Sequence, residues 1–162
     1  MIEVIDKKDY RQITNEIHLE FAAVSDNESF ARMAVAAFIT PLNPTLEEVS
    51  DVKTAISEAV TNAIIHGYEN KGHVTDRIYM NCELIKDVLE VEIIDRGVGI
   101  QDINRAMEPL FTTRPELERS GMGFAFMEAF MDNLDVQSEP GQGTVVRMCK
   151  KIGLGSWIDS EE

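Results

Sequence analysis

The stretch from Val88 to Asp95 constrains the fold of this chain most strongly. Apolar side chains alternate there with Glu90 and Glu92, which is the period of a β-strand with one buried face. Asp95 continues the apolar face, so its carboxylate is predicted to point into the core layer rather than toward water. A buried carboxylate needs hydrogen-bond donors. A purine amino group would supply one, and nearby backbone amides would satisfy it equally well.

The residues directly after this strand form a Gly-x-Gly motif with Gly97 and Gly99. An acidic residue at a strand end, followed by two glycines, indicates a carboxylate with a fixed aim and a backbone that a ligand approaches closely. Loops that merely turn at the end of a strand have the same composition. The motif therefore indicates a ligand site only in combination with other residues of the chain.

Composition excludes several classes of protein. The chain has 162 residues, of which 44% are hydrophobic and 27% charged, as in a single globular domain. Its net charge of −14, without any Lys/Arg block, argues against nucleic acid as a partner. No apolar run is long enough to span a bilayer and no signal-peptide pattern opens the chain, so we expect a cytoplasmic protein without a membrane partner. Cys82 and Cys149 lack metal-site spacing and indicate reduced thiols.

The order of the predicted elements indicates an α+β sandwich, with one mixed, mostly antiparallel sheet covered on one face by three helices. The patterns predict a strand from residue 13, a helix after a capping box at 25–28, and a longer helix from 45 to about 66 that begins with a second capping box at 45–48 and is closed by Gly67. They then predict a hairpin over 78–95, one helical turn near 103–107, a helix over 121–133 and a final hairpin over 134–150. The first helix is predicted to bury Phe30, Met33, Ala34, Ala37 and Phe38. Residues 1–12 are predicted to be a loose extension, residues 13–150 the domain and residues 151–162 a tail.

A second cluster of polar residues lies on the longer helix. Glu58 and Asn62 are four residues apart and share a face, and Ala59 and Ala63 beside them leave room for a ligand. Such a pair could act as a general base and a Mg²⁺ ligand. A solvated polar stripe is the alternative interpretation.

A third cluster surrounds the start of the last helix, at Ser120, Gly121, Met122 and Gly123. Free amides and the positive end of the helix dipole favour an anion there, although a plain N-cap has the same appearance. The preceding run supplies hydroxyls and cations, which could close over a phosphate chain as a lid. The candidate lid residues are Thr112, Thr113 and Arg119.

Taken in order, these motifs resemble the GHKL superfamily of gyrase B and the histidine-kinase catalytic domains, whose fold is the Bergerat-type sandwich. The segment Glu58-x-x-x-Asn62 is similar to its N box, and Asp95-x-Gly97-x-Gly99 and Gly121-x-Gly123 to its two glycine boxes. Gly143-Thr144 occupies its late Gly-Thr position. The sequences of segments 57–63, 109–113 and 118–123 are most similar to the serine-kinase anti-sigma factors, in particular the anti-sigma F type of spore-forming bacteria.

This resemblance implies binding of ATP or ADP with Mg²⁺, a homodimer, sequestration of a sigma factor and phosphorylation of a serine on an anti-anti-sigma factor. Asp95 would accept from adenine N6, with Thr144 in support. Asn62 would hold Mg²⁺, and Glu58 would accept the proton of the attacking serine. The phosphates would lie against the amides of Met122 and Gly123, with Arg119 and the lid hydroxyls around them.

Other functions remain open from the residues alone. A nucleotide-gated sigma-binding module without kinase activity, or the related stress-response anti-sigma kinase, would share most of these motifs. A histidine-kinase catalytic domain would need phosphoacceptor helices, and a gyrase-type ATPase a transducer domain. For the sigma surface we predict the polar face of the first helix, where Glu28 and Arg32 are four residues apart. An ordinary helix-surface ion pair would account for those two residues as well.

Overall fold

Five strands form one sheet in the computed structural model, which describes residues 12–109 and 123–153. The strands are β1 (Ile13–Ala22), β2 (Arg77–Ile85), β3 (Val88–Asp95), β4 (Asn133–Glu139) and β5 (Gly143–Lys151). Their order across the sheet is β1-β2-β3-β5-β4, and each neighbouring pair is antiparallel. The predicted α+β sandwich is confirmed, and within the described ranges its sheet is antiparallel throughout.

The helices are α1 (Asp26–Phe38), α2 (Leu46–Asn62), α3 (Ile103–Ala106) and α4 (Gly123–Phe130). α2 is the central helix of its layer, because it packs against both α1 and α4. It continues beyond Asn62 as a π-helical turn, Ala63–Gly67, in place of the regular α-helix predicted to about residue 66. No helix within the described ranges is both long and apolar enough to cross a membrane.

The side-chain parity of β3 is as predicted. The apolar residues of the predicted inner face are buried, Glu90 and Glu92 are on the more open face, and Asp95 is only 6% exposed. β3 lies in the middle of the sheet, between β2 and β5. The carboxylate of Asp95 therefore enters the core layer from a strand that has a neighbour on each side.

The N-terminus of α1 differs from the prediction. Ser25 makes no side-chain hydrogen bond to the helix, so the predicted capping box is wrong. Its backbone is already helical, with φ −59° and ψ −27°, whereas a capping hydroxyl reaches the helix amides from an extended residue. Asn27 contacts the preceding strand instead, through a 3.0 Å hydrogen bond from its Nδ2 to the carbonyl of Ala22.

The buried face of α1 is also rotated from the prediction. Phe30 and Met33 are 55% and 56% exposed, and Ala37 is exposed, so the prediction that they are core residues is wrong. The helix buries Ala31 and Val35. α1 packs against α2 in the same layer, and α2 covers the face of α1 that carries the small side chain of Ala31. Small side chains at a contact allow two helices to approach closely. Two other predicted core positions do pack into the core: Ala34 and Phe38.

The capping box at the start of α2 is confirmed. Thr45 Oγ1 accepts a 3.1 Å hydrogen bond from the Glu48 amide, and Glu48 Oε2 accepts a 2.9 Å bond from the Thr45 amide. The same carboxylate oxygen accepts from the amide of Gly153, which is 3.1 Å away and 105 residues later in the chain. Glu48 is only 4% exposed. This buried carboxylate joins the start of α2 to the chain that leaves β5.

We expect replacement of Glu48 by Ala to lower the free energy of unfolding by about 2 kcal/mol, since the buried Gly153 amide and the helix-capping Thr45 amide lose their acceptor. Urea unfolding at pH 7.5 measures the change. Glu47→Ala is the matched control, because Glu47 is the neighbouring, exposed carboxylate of the same helical turn. Equal losses in the two variants would show that the connection to Gly153 contributes nothing.

Candidate functional site

Asp95 lies at the end of β3, opposite Thr144 of β5. Its Oδ1 accepts a 2.9 Å hydrogen bond from the Gly97 amide. Burial raises the pKa of the Asp95 carboxyl to about 6, against the lowering effect of the backbone hydrogen bonds from Gly97 and Thr144. Backbone amides therefore satisfy this carboxylate in part, as one of the two sequence interpretations required. A further donor from a ligand would stabilise its ionised form.

Thr144 is buried beside Asp95 and belongs to a hydroxyl pair that the sequence reasoning missed. Its Oγ1 lies 2.9 Å from Ser138 Oγ on β4. Ser138 Oγ also donates to the Gly143 carbonyl at 2.9 Å and accepts from the Ile100 amide at 2.7 Å. A serine hydroxyl has one proton, so Thr144 is the donor within the pair. This network joins the loop after β3 to the hairpin of β4 and β5.

Two glycines of the loop that follows Asp95 pack closely against the backbone of other segments of the protein. A Cβ on Gly97 would overlap the carbonyl of Gly67, and a Cβ on Gly99 would overlap the carbonyl of Glu139. Gly99 also has a φ of +73°, which side chains rarely adopt. The sequence had suggested that these glycines admit a ligand. The structure shows that they admit neighbouring segments of the same protein.

Gly67 was predicted as a helix C-cap, but its role here is steric. It lies within the π-helical turn, and a Cβ there would come within 2.8 Å of the Asp95 carboxylate carbon. Its carbonyl accepts a 2.9 Å hydrogen bond from the Val98 amide. A residue directly after the predicted helix end was the available signal, and only the tertiary contact reveals why it is glycine.

The α2 pair lies at the other end of the site. Glu58 and Asn62 share a face, as their spacing predicted, and the first residue of α4 approaches both. A Cβ on Gly123 would lie 3.0 Å from Asn62 Nδ2 and 3.2 Å from Glu58 Oε2. The two side chains therefore meet the N-terminus of α4, where free amides and the helix dipole favour an anion.

A cavity of about 450 Å³ connects the two ends. Its volume is in the range of small-molecule sites. Five of the predicted site residues line it: Asn62, Asp95, Gly99, Gly123 and Thr144. Ile93, Phe124 and Val146 provide apolar wall, while Arg105 of α3 is a cation at this cavity that the sequence reasoning did not select. Six predicted residues lie outside the described ranges: Thr112, Thr113, Arg119, Ser120, Gly121 and Met122.

The side-chain oxygens at this cavity could hold a hard cation such as Mg²⁺ only if a bound ligand supplied further oxygens. No group of three His, Cys, Asp or Glu side chains that could hold a metal is found in the described part of the chain. Asn62 lines the cavity and Glu58 does not, but both approach the first residue of α4: a Cβ on Gly123 would lie 3.1 Å from Asn62 Oδ1 and 3.2 Å from Glu58 Oε2. Mg²⁺ is commonly held by one or two protein oxygens together with substrate phosphates, which these two residues fit.

The chain matches the family model described as a histidine kinase-like ATPase domain over residues 21–150. It is 58% identical over 143 residues to the anti-sigma F factor of Clostridium acetobutylicum, covering 88% of this chain and 97% of that one. The anti-sigma F factor of Oceanobacillus iheyensis is 56% identical over 144 residues, covering 89% of this chain and 97% of that one. The chain belongs to the anti-sigma F factor family of histidine kinase-like ATPase domains. The family resemblance read from its motifs is confirmed.

Two solved structures share the fold. The RsbU and RsbW domains of Rv1364c from Mycobacterium tuberculosis match with a TM-score of 0.60 at 19% identity, over 86% of this chain and 33% of that one. A chain of the SiaB–SiaC complex from Pseudomonas aeruginosa matches with a TM-score of 0.52 at 13% identity, over 93% of this chain and 100% of that one. These matches support the α+β architecture.

We expect the Asp95 carboxyl to make the ligand-free protein less stable as the pH rises. Its folded pKa of about 6 lies above the ordinary value of 3.8. The folded state therefore holds this proton more tightly, and its advantage is full below pH 4 and is lost as the pH rises through 6. Between pH 5 and 7.5 the loss is roughly 1 kcal/mol.

Urea unfolding of the wild-type protein and of Asp95→Asn at both pH values measures this loss, and the variant corrects for every other titrating group. The wild-type protein should lose stability relative to Asp95→Asn at the higher pH. A constant difference between the two proteins would show that Asp95 titrates normally.

Proposed function

We propose that this protein is an ATP-dependent serine-protein kinase that phosphorylates a serine of an anti-anti-sigma factor and sequesters a sigma factor. Relatives that are 54–58% identical over most of the chain are named anti-sigma F factors. The observation that carries the proposal is the position of Glu58 beside Asn62 at the start of α4. A carboxylate there has the chemistry of a general base at the phosphate end of a nucleotide cavity.

In this proposal Asp95 recognises the adenine ring. Its ionised carboxylate accepts from the 6-amino group, and the apolar walls of the cavity cover the base. Thr144 supports the same end of the site, because its backbone amide donates to Asp95 and its hydroxyl is held by Ser138 at 2.9 Å. The amide of Gly97, which donates to Asp95 Oδ1, fixes the aim of the carboxylate.

Phosphoryl transfer takes place at the other end. Glu58 accepts the proton of the serine hydroxyl while that oxygen bonds to the γ-phosphorus and the bond to ADP breaks. Asn62 would hold Mg²⁺ through its side-chain oxygen, where the cation would supply positive charge to offset that of the phosphates. Gly123 leaves the start of α4 open to phosphate oxygens. The proposed lid consists of Thr112, Thr113 and Arg119. The residues proposed to contact the phosphates at the helix start are Ser120, Gly121 and Met122.

We expect Glu58→Ala to retain ATP affinity within about threefold and to lose phosphoryl transfer by at least 100-fold, the usual contribution of a positioned base. Asp95→Asn should instead weaken ATP binding by tenfold or more, since a charge-assisted hydrogen bond is lost. Titration calorimetry gives affinity, and labelled ATP with a candidate anti-anti-sigma protein gives transfer.

These two variants also separate the kinase from a nucleotide-gated sigma-binding module without transferase activity. Such a module needs Asp95 to hold its nucleotide but has no use for a base at Glu58. Absence of transfer by the wild-type protein, with ATP binding intact, would favour that module. Equal loss of ATP binding in both variants would contradict the assignment of Glu58 as the base.

The sigma factor is proposed to dock on α1, in a cytoplasmic homodimer. Glu28 and Arg32 form an i, i+4 ion pair there, with a separation of 3.8 Å. So long and half-exposed a pair contributes little to stability. Phe30 and Met33 are exposed on the same helix. These two residues are three apart and share a face, and clustered exposed apolar side chains are a feature of protein interfaces.

We expect Arg32→Glu to weaken sigma binding by at least tenfold, because it places a like charge beside Glu28 and removes the cation of this face. Surface plasmon resonance with the purified sigma factor measures it. Lys71→Glu reverses an exposed charge in the loop before β2 and should leave the affinity unchanged. Unchanged affinity in Arg32→Glu would remove α1 as the docking surface.

A further inference from the structure

Tyr68 connects two segments of the site although it does not line the cavity. Its hydroxyl donates a 2.6 Å hydrogen bond to the carbonyl of Arg77, at the start of β2. The same oxygen accepts a 2.8 Å hydrogen bond from the amide of Arg96, the residue directly after Asp95. The ring is partly buried and packs against the hydrophobic core. The hydroxyl therefore uses both its donor proton and an acceptor lone pair for hydrogen bonds within the protein.

The contacts of Tyr68 continue those of Gly67. Gly67 accepts from the Val98 amide at 2.9 Å and leaves room for the Asp95 carboxylate. Two consecutive residues at the end of the π-helical turn thus hold two alternate amides of the loop that follows Asp95. The Tyr68 amide itself closes the π-helical turn by donating to the Ala63 carbonyl at 2.9 Å. π-helical turns inside helices often occur at functional sites.

The hydrogen bonds of Tyr68 link the two elements that carry the two ends of the cavity. Asn62 is the last α-helical residue before the turn, and Asp95 is the last residue of β3. The Tyr68 hydroxyl is a direct hydrogen-bonded tie between the end of that turn and the Asp95 loop. Loss of the hydroxyl would leave the Arg96 amide without this acceptor and would remove one of the two hydrogen bonds that tie the loop to the end of the turn.

We propose that Tyr68 is a positioning residue for adenine recognition, which holds the Asp95 loop where its carboxylate meets the 6-amino group. The inference depends on the proposed nucleotide site. Tyr68 acts through Asp95 and touches no part of the nucleotide. Its contribution is specific to the amino group, because the phosphate end is held by residues of α2 and α4.

The test compares ATP with purine riboside 5′-triphosphate, which lacks the 6-amino group. The full chain is studied as the wild-type protein, Tyr68→Phe and the matched control Tyr79→Phe. Tyr79 is on β2, the strand next to β3, and the guanidinium of Arg96 lies 4.7 Å from the centre of its ring. The substitution by Phe removes the hydroxyl and retains that ring. Titration calorimetry with Mg²⁺ gives the dissociation constant of each nucleotide.

We expect Tyr68→Phe to weaken ATP binding about tenfold and analogue binding less than twofold, so that the preference for ATP falls. In turnover, KM for ATP should rise while kcat is retained. Tyr79→Phe should change neither quantity. A role limited to stability would weaken both nucleotides equally and leave the preference intact, which would overturn the inference.

The outcomes separate this inference from the function on which it rests. A wild-type protein that binds neither nucleotide, or binds both equally, contradicts adenine recognition by Asp95 itself. A wild-type preference that persists in Tyr68→Phe contradicts only the role of Tyr68. If that variant does not fold, hydrogen exchange of the wild-type protein decides: ATP should slow exchange of the Arg96 amide more than the analogue does, and equal slowing would overturn the inference.

Discussion

The packing of Gly67 and Gly97 against each other is the constraint on which the site depends. A side chain on Gly97 would overlap the carbonyl of Gly67, and one on Gly67 would lie within 2.8 Å of the Asp95 carboxylate carbon. The end of α2 therefore meets the end of β3 with no side chain between them. This contact brings Asp95 and Asn62 to the walls of one cavity. It is a contact between backbones, so almost any substitution at either glycine would separate the two segments.

Backbone hydrogen bonds explain in part how the protein tolerates the Asp95 carboxylate in its core. Burial of Asp95 opposes its ionisation, and the amides of Gly97 and Thr144 only partly offset that cost. A ligand that donates to the carboxylate would recover the remainder. In the proposed site, relief of this cost of burial would contribute to ligand affinity, which gives a physical reason for an acidic group on the buried face of a central strand.

Much of the site could be predicted from the sequence because its motifs lie on regular elements. Strand parity determined the direction of Asp95, and helical spacing placed Glu58 beside Asn62. Both are properties of a single element, which periodicity encodes. The capping box at Thr45 could be predicted for the same reason.

The features that were missed or wrongly predicted depend on contacts between elements. Ser138 and Tyr68 join segments distant in sequence, through hydrogen bonds that no local pattern reveals. The buried face of α1 was predicted incorrectly because two apolar stripes fit its sequence, and packing against α2 selects the one with Ala31 and Val35. Gly97 and Gly99 were found, but the structure shows that they allow packing within the protein instead of leaving room for a ligand.

The pKa of Asp95, with and without ATP, tests adenine recognition most directly. Carboxyl ¹³C chemical shifts followed by NMR from pH 4.5 to 8 report this group alone. We expect a pKa of about 6 in the ligand-free protein. Because ATP binds the ionised carboxylate more tightly, saturation with ATP should lower the pKa by one unit or more, on the order of tenfold in affinity. An ordinary pKa in the free protein that ATP leaves unchanged would contradict this role of Asp95.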